Sequence, residues 1–591
     1  MKEMYSFDIF DTCLVRACGS PNCIAGIVAS HILRNTTPSA INDFILKRKE
    51  GEGRARSLYI TAQKEDITIE DIYSQCDFTS LTDVTNESIM EMEMAVETNM
   101  LIPVLSVKKK IERLHSQGHS VIFISDMYLP TAFLRGILIN TGFFREGDQI
   151  FISGDIGKAK STGNLFDYVQ KTIHIDVKRW HHKGDSKHSD YDMPRRRGIN
   201  ATLIQHRRSF YEQNSINYGE HLSSSDITKA TAIARAIRLS FPDTPHYRFA
   251  ADFIAPMMTT YVHHILKDAS LRNIEHLYFM ARDAYILYCI AQELHSLYPA
   301  ISLHYLYGSR QSLYLPGLTE LTDQSLKEVM PEYHGNTDSI RSFYEEQSKL
   351  CIDYLCQEGV NRPHSAIVDM IGGRKCQISI NNILRRNGYE PVFAYYFEVT
   401  PYRVMAPDAY LAMYYQERMA GSPYYHHASH PLFEQYFGIT DQQRTKCYQK
   451  EGDKIVPVFE SDLVRSDYKN RVFAINKEVC CAYAKYYSQV FISNPELCNN
   501  TFYRVFAHFC HVPHREYLMA LDQFFSTSSE TTQESLLVKR SLYSILFNKK
   551  QYLRWKNGNL IYNSGILYRP MIALLEWYYN RKIKRMNQTL I

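Results

Sequence analysis

The sequence predicts an α/β protein made of two successive parallel-sheet domains. Three observations carry that expectation. Short apolar runs alternate with helix-period segments, which is the order of βαβ units rather than of hairpins. The alternation pauses in a polar stretch at residues 213–225 and resumes from residue 226. The chain has 591 residues, more than one core supports when domains run to roughly 100–200 residues.

The first domain, residues 1–212, has candidate strands at Met4–Asp8, Ser120–Ser125, Gln149–Ser153, Arg179–His182 and Ala201–Gln205. Val107–Leu114 has helical spacing, and Gly118 ends it just before the second strand. About a hundred residues of helical character separate the first two strands. They comprise Ala25–Leu33, Asn42–Lys64, a start signal at Thr68, and the acidic run Asn86–Val96. An insertion at that point, residues 13–103, predicts a helical cap over the end of the first strand, or a sequential helical domain. The serine-rich residues 213–225 read as a linker. A second α/β domain follows at 226–455, with strands at His276–Ala281, Ser302–Tyr307, Ala366–Asp369 and Pro391–Phe397. Residues 456–591 read as mostly helical and aromatic, packed on the second domain.

Composition narrows the functional classes. A net charge of +4 is too small to imply nucleic acid. The 43 tyrosines favour binding surfaces or carbohydrate contacts. MKEMYSFDIF has no basic start followed by an apolar core, so no secretory signal is read. No window reaches the ~18 uncharged apolar residues of a membrane span. Thirteen scattered cysteines without CxxC spacing predict reduced thiols and a cytoplasmic address.

Four segments place reactive side chains at the carboxyl ends of candidate strands, the edge where open α/β sheets bind ligands. They are Asp8 in FDIFDT, Ser125 in VIFISDMYLP, Lys160 in GKAKSTGNLF, and Asp185 with Asp190 in HHKGDSKHSD. Any one of them alone reads as a turn former, a helix cap or a solvated charge. In this order, each after a strand, they resemble the haloacid dehalogenase (HAD) superfamily, largely phosphohydrolases and phosphotransferases. The resemblance covers roughly residues 4–207, with the insertion standing where that superfamily carries a C1-type cap on a Rossmann-like sheet.

The resemblance implies a role for each residue. Asp8 attacks phosphorus, splitting one displacement into two through an aspartyl-phosphate. Ser125 offers a hydroxyl to a phosphoryl oxygen. Lys160, preferred over Lys158 because Phe166 follows it at the family's spacing, neutralises the reacting pair. Mg²⁺ is implied as cofactor, held by Asp8, the main-chain carbonyl of Phe10, and Asp185, with Asp190 completing or bracing the site. One position departs from the pattern. HAD phosphatases carry a second aspartate two residues after the nucleophile to protonate the leaving group, and here that residue is Phe10. General acid catalysis of this kind contributes about 10²–10⁴-fold. The metal-ready acids point away from a dehalogenase. Two readings stay open: a Mg²⁺-dependent phosphatase with a weakened or displaced acid, and a domain that binds phosphate without efficient turnover.

In the second half, HLYFMARDAYILY, HYLYGSRQSLYLP and IVDMIGGRKCQ repeat an apolar strand ending in a charged or small residue. This predicts a second site of Arg282, Asp283, Arg310, Asp369, Gly372 and Gly373 at one sheet edge, with arginines suited to phosphate or carboxylate. These runs resemble the C-terminal part of predicted bacterial HAD-type hydrolases found among polysaccharide-biosynthesis proteins. The expected substrate is accordingly a phosphorylated sugar or nucleotide-sugar. The alternative is a glycosyltransferase-type activity in residues 226–591 with the first domain regulatory. His426, His427 and His430 read as a polar loop in preference to a metal site. The basic tail Tyr578–Arg585 reads as a solvated helix end, with peripheral contact to an anionic membrane as the alternative.

Overall fold

The computed structural model describes residues 3–330, 334–372, 374–399, 411–412, 424–460, 467–523, 525–529, 532–547 and 553–589. The chain forms two compact units: Met1–Asp243 with Gln489–Ser493, and Thr244–Ser488 with Asn494–Ile591. Both are α/β and both are built on a parallel sheet. Among the described residues no helix is long and apolar enough to cross a membrane.

The strands of the first unit are β1 (Met4–Phe7), β2 (Leu14–Arg16), β3 (Leu101–Pro103), β4 (Val121–Ser125), β5 (Gln149–Ile152), β6 (Trp180–Gly184) and β7 (Asn200–Leu203). Its main sheet runs β5-β4-β1-β6-β7, with every neighbouring pair parallel. Phe7 of β1 lies opposite both Phe123 and Lys183, so the strands around the centre end at one level. Ile122, Ile124, Leu165, Phe166 and Trp180 form a core under that edge. All-parallel sheets are covered on both faces, and the fully buried β4 (VIFIS) reads accordingly as a continuous apolar run.

β2 and β3 pair antiparallel, Leu14 with Pro103 and Arg16 with Leu101, so the chain enters and leaves the insertion side by side. Between them lie helices α1 (Pro21–Ile32), α2 (Pro38–Tyr59), α3 (Ile69–Tyr73) and α4 (Asn86–Met100). Thr37, Thr68 and Thr85 cap the last three by accepting from the helix amides. A buried Arg48–Glu93 pair at 2.8 and 2.9 Å, joined by the Tyr73 hydroxyl at 2.6 Å, ties α2, α3 and α4 together.

The stretch expected as a linker is helical instead. Ser209 caps the helix Phe210–His221 through the Glu212 amide at 3.1 Å, and the helix Ser225–Ser240 follows. Buried Glu212 binds Arg235 at 3.2 Å and Arg238 at 2.9 Å, which pins the two helices together. The break between units comes after Asp243, beside Pro242 and Pro245.

The second unit carries β8 (His276–Met280), β9 (Ser302–Leu306), β10 (Ser365–Gly372), β11 (Phe393–Val399) and β12 (Leu411–Ala412), in the parallel order β12-β11-β10-β8-β9. The expected boundary at residue 455 falls inside a hairpin, β13 (Thr445–Glu451) with β14 (Lys454–Phe459). Gly452, at φ +61°, makes its turn. Long helices at Ala255–Leu271, Asp467–Tyr487 and Pro495–His511 supply much of this unit's buried surface.

Candidate active site

Asp8 is the first residue past β1, and its amide donates to the Lys183 carbonyl of the neighbouring strand at 2.8 Å. The residue is 5% exposed. Lys160 Nζ donates to Asp8 Oδ1 and to Asp190 Oδ1, each at 2.6 Å. Ser125 Oγ donates to Asp8 Oδ1 at 3.3 Å. Asp185 is reached by the Thr12 hydroxyl at 3.3 Å. Ligand oxygens of Asp8, Asp185 and Asp190 lie within 4.8 Å of one another, which among the described residues makes them a group able to hold a metal ion. Residues from four separate segments, Asp8, Ser125, Lys160 and the Asp185/Asp190 pair, thus converge on one spot. Lys158 points elsewhere, toward Gln63 and Glu65.

Local sequence explains how each group is held. A Cβ at Gly184 would stand 2.3 Å from Asp190 Cγ, so only glycine lets β6 end against that acid. Asp126 accepts from the amides of Lys160 at 2.7 Å and Ser161 at 3.2 Å, which fixes the loop carrying the lysine. Behind the site, Trp180 Nε1 donates to Ser6 Oγ at 2.8 Å, Ser6 bonds His182 Nδ1 at 2.7 Å, and His182 Nε2 meets Asp190 Oδ1 at 3.2 Å. Sequence reasoning missed this chain. Its members Ser6 and His182 are polar residues at fully buried strand positions.

Phe10 is buried, and the Arg16 guanidinium lies 4.4 Å over its ring. Asp11 adopts φ +54°, a left-handed conformation that aspartate tolerates, and is exposed. The two acids of FDIFDT therefore part: Asp8 enters the cluster and Asp11 faces outward.

The charges explain one another. Burial pushes Asp8 up to about 7, with Asp190 and Asp185 adding and Lys160 opposing. Burial works against Asp190 as well, but Lys160 and then His182 outweigh it and hold the acid well below the usual carboxylate range. Burial favours a neutral Lys160, yet Asp8 and Asp190 keep it firmly protonated. Asp185 is raised by desolvation and by the nearby Asp11 and Asp190.

The second sheet brings its expected residues together only in part. Arg282 and Asp283 follow β8, and Arg282, at φ +75°, donates its amide to the Tyr305 hydroxyl at 2.8 Å. Arg310 opens a short helix capped by Ser309. Asp369 does not end its strand as expected, because β10 runs on to Gly372; Gly373 lies outside the described residues. Desolvation, then the charge of Asp283, pushes Asp369 up to about 7, with Arg310 opposing. Arg374, outside the expected set of site residues, is 3% exposed at φ +61°, and its Nε has no hydrogen-bond partner among the described residues. His426 and His427 lie in a loop, as expected, with His427 exposed, but His426 is buried, stacked on His427 and edge-on to His511. The side chain of His430 lies outside the described residues.

No protein-family model and no curated protein matches the sequence. Among solved structures the chain is similar to a dehalogenase, at 12% identity and a TM-score of 0.26, over 35% of this chain and 87% of the other. It is also similar to the magnesium-bound YfnB of Bacillus subtilis, described as a HAD-hydrolase, at 16% identity and a TM-score of 0.25, over 34% and 87%.

Proposed function

We propose that residues 1–243 form a Mg²⁺-dependent phosphohydrolase or phosphotransferase of the HAD type. The observation that supports it most is the single cluster in which Lys160 bridges Asp8 and Asp190 while Asp185 stands within ligand distance of both. Lys160 and Ser125 both hold Oδ1 of Asp8, which leaves Oδ2 to attack phosphorus. The Asp8–phosphorus bond forms as the bond to the leaving oxygen breaks, and water later releases phosphate from Asp8. Lys160 offsets the charge gathered on the acyl phosphate, and the Ser125 hydroxyl orients the group.

The donor set fits Mg²⁺: carboxylate oxygens, hard ligands, converge at a strand edge. Asp8 and Asp185 would hold the ion with the Phe10 main-chain carbonyl. Asp190, already engaged by Lys160, His182 and the Ser186 amide at 3.0 Å, braces the set. When bound, the ion draws charge from the phosphoryl oxygens. Phe10 supplies no proton to the leaving group, so turnover favours substrates whose leaving oxygen needs none. The same residue supports a second reading, phosphate binding without turnover. The substrate class, a phosphorylated sugar or nucleotide-sugar in surface-polysaccharide assembly, belongs to the proposal through the resemblance of the second half.

The test is phosphate release from an aryl phosphate by the full chain with Mg²⁺. Wild type is expected to release phosphate, and Asp8→Asn to lose at least a hundredfold in rate. Wild-type turnover in the variant would remove Asp8 as nucleophile. Phosphate binding by a wild type that shows no turnover would favour the second reading.

A further inference from the structure

A cavity of about 470 Å³ lies in the first unit beside the loop that follows Asp8. Asp11, Val15 and Arg16 form one end of it. Thr12, next to Asp11, is the residue that holds Asp185. The cavity and the acidic cluster therefore share one loop. The walls are largely apolar, from Ile27, Ile41 and Ile45 of the helical insertion and Phe491 of the returning segment. Small-molecule sites of 300–1,000 Å³ commonly combine such walls with a few placed polar groups.

Here the polar groups include two guanidiniums that share one carboxylate. Glu212 on the wall is a single carboxylate facing three guanidiniums: Arg238 at 2.9 Å, Arg235 at 3.2 Å and Arg208 at 3.9 Å. At that separation Arg208 makes no hydrogen bond to Glu212, and its side chain is 57% exposed. Arg235 reaches Glu212 through one nitrogen, Nη1. The other cations on the wall are matched one to one, Arg16 by Glu97 and Lys229 by Asp226 at 3.7 Å. Arg208 and Arg235, which share Glu212, both line the cavity, where Asp11 is the other acid.

We infer that this cavity holds the part of the substrate remote from the transferred phosphoryl group, and that this part carries a second anionic group, a carboxylate or a phosphate, bound by Arg208 and Arg235. The planar guanidinium donors suit either anion bidentately. The inference rests on the phosphohydrolase reading.

The experiment compares kcat/KM of the full chain for fructose 1,6-bisphosphate, 3-phosphoglycerate, glucose 6-phosphate and p-nitrophenyl phosphate. The expected result is a preference of at least tenfold for one of the two compounds with an anionic tail over glucose 6-phosphate; which one leads tells phosphate from carboxylate. In Arg208→Gln/Arg235→Gln the ratio of the preferred compound to p-nitrophenyl phosphate is expected to fall at least tenfold, and Arg235→Lys to restore part of it. An unchanged ratio, as a merely structural loss would give, overturns the inference, as does equal use of all the sugar and glycerate phosphates. If wild type releases phosphate from none of the four, the hydrolase reading fails by itself. Calorimetry on Asp8→Asn with fructose 1,6-bisphosphate and with 3-phosphoglycerate then decides: binding of either weakened tenfold by the double substitution supports the inference, and binding absent or unaffected overturns it.

Discussion

In the first sheet the chain leaves β1 for β4 and β5 on one side, then crosses to lay β6 and β7 on the other. In the second it leaves β8 for β9, then crosses to lay β10, β11 and β12 on the other side. Each sheet therefore has one place where successive connections part, between β1 and β6 and between β8 and β10, and crevices for ligands open there. Asp8 and Asp185 flank the first such place; Arg282, Asp283 and Asp369 flank the second. The electrostatics differ. At the first, one lysine closes two buried acids at 2.6 Å each. At the second, Asp369 is held by the amide of Met370 at 2.8 Å, and the buried Arg374 has an Nε without a hydrogen-bond partner among the described residues. Topology selects the place; side chains decide whether its charges are balanced.

The strongest way to break this contrast is Lys160→Met. It leaves Asp8 and Asp190 buried without their shared cation, and removing one partner of a buried ion pair costs about 3–5 kcal/mol. Urea unfolding of the first unit should show that loss, and one below about 1 kcal/mol would mean the lysine does not balance the acids. Next is Gly184→Ala, whose Cβ meets Asp190 Cγ at 2.3 Å; overpacking of this kind costs about 1–3 kcal/mol. Arg374→Met should do the opposite in the second unit. It replaces a buried guanidinium by an apolar chain of similar length, so stability should stay within about 1 kcal/mol or rise. A loss well above that would show Arg374 to be fully satisfied and would erase the difference between the two edges.

Much of the first edge was legible in the sequence, because Asp8 and Ser125 stand at the ends of largely apolar strand runs and the segments carrying Lys160, Asp185 and Asp190 come in order behind them. Asp8, Ser125, Lys160, Asp185 and Asp190 do meet, from segments as far apart as 152 residues in the Lys160–Asp8 bond. What stayed hidden was support that depends on pairing register: His182 behind Asp190, Thr12 on Asp185, Asp126 on the lysine loop. Polar composition misled at residues 213–225, which fall mostly in the helices Phe210–His221 and Ser225–Ser240 rather than in a linker. The second edge was read less well because β10 extends past Asp369, and that extension depends on its parallel partner: Ile371 lies opposite Glu398 and Gly372 opposite Val399.

The finest test of the contrast is a pH profile at the second edge. Asp369 has its folded value pushed up to about 7 from an ordinary value of 3.8. Between those values the folded chain keeps a proton that the unfolded chain releases, so stability falls as pH rises through the window. Below it both states are protonated and nothing is lost; above it the full cost of a desolvated carboxylate is present. Asp369→Asn keeps an acceptor for the Met370 amide and removes the ionisation. Its melting temperature should match wild type near the acid end of the window and exceed it above about pH 7, with a flatter profile between. If wild type and variant run parallel across that range, Asp369 is not desolvated as its surroundings imply. A carboxyl raised by burial would then belong to the first edge alone, at Asp8.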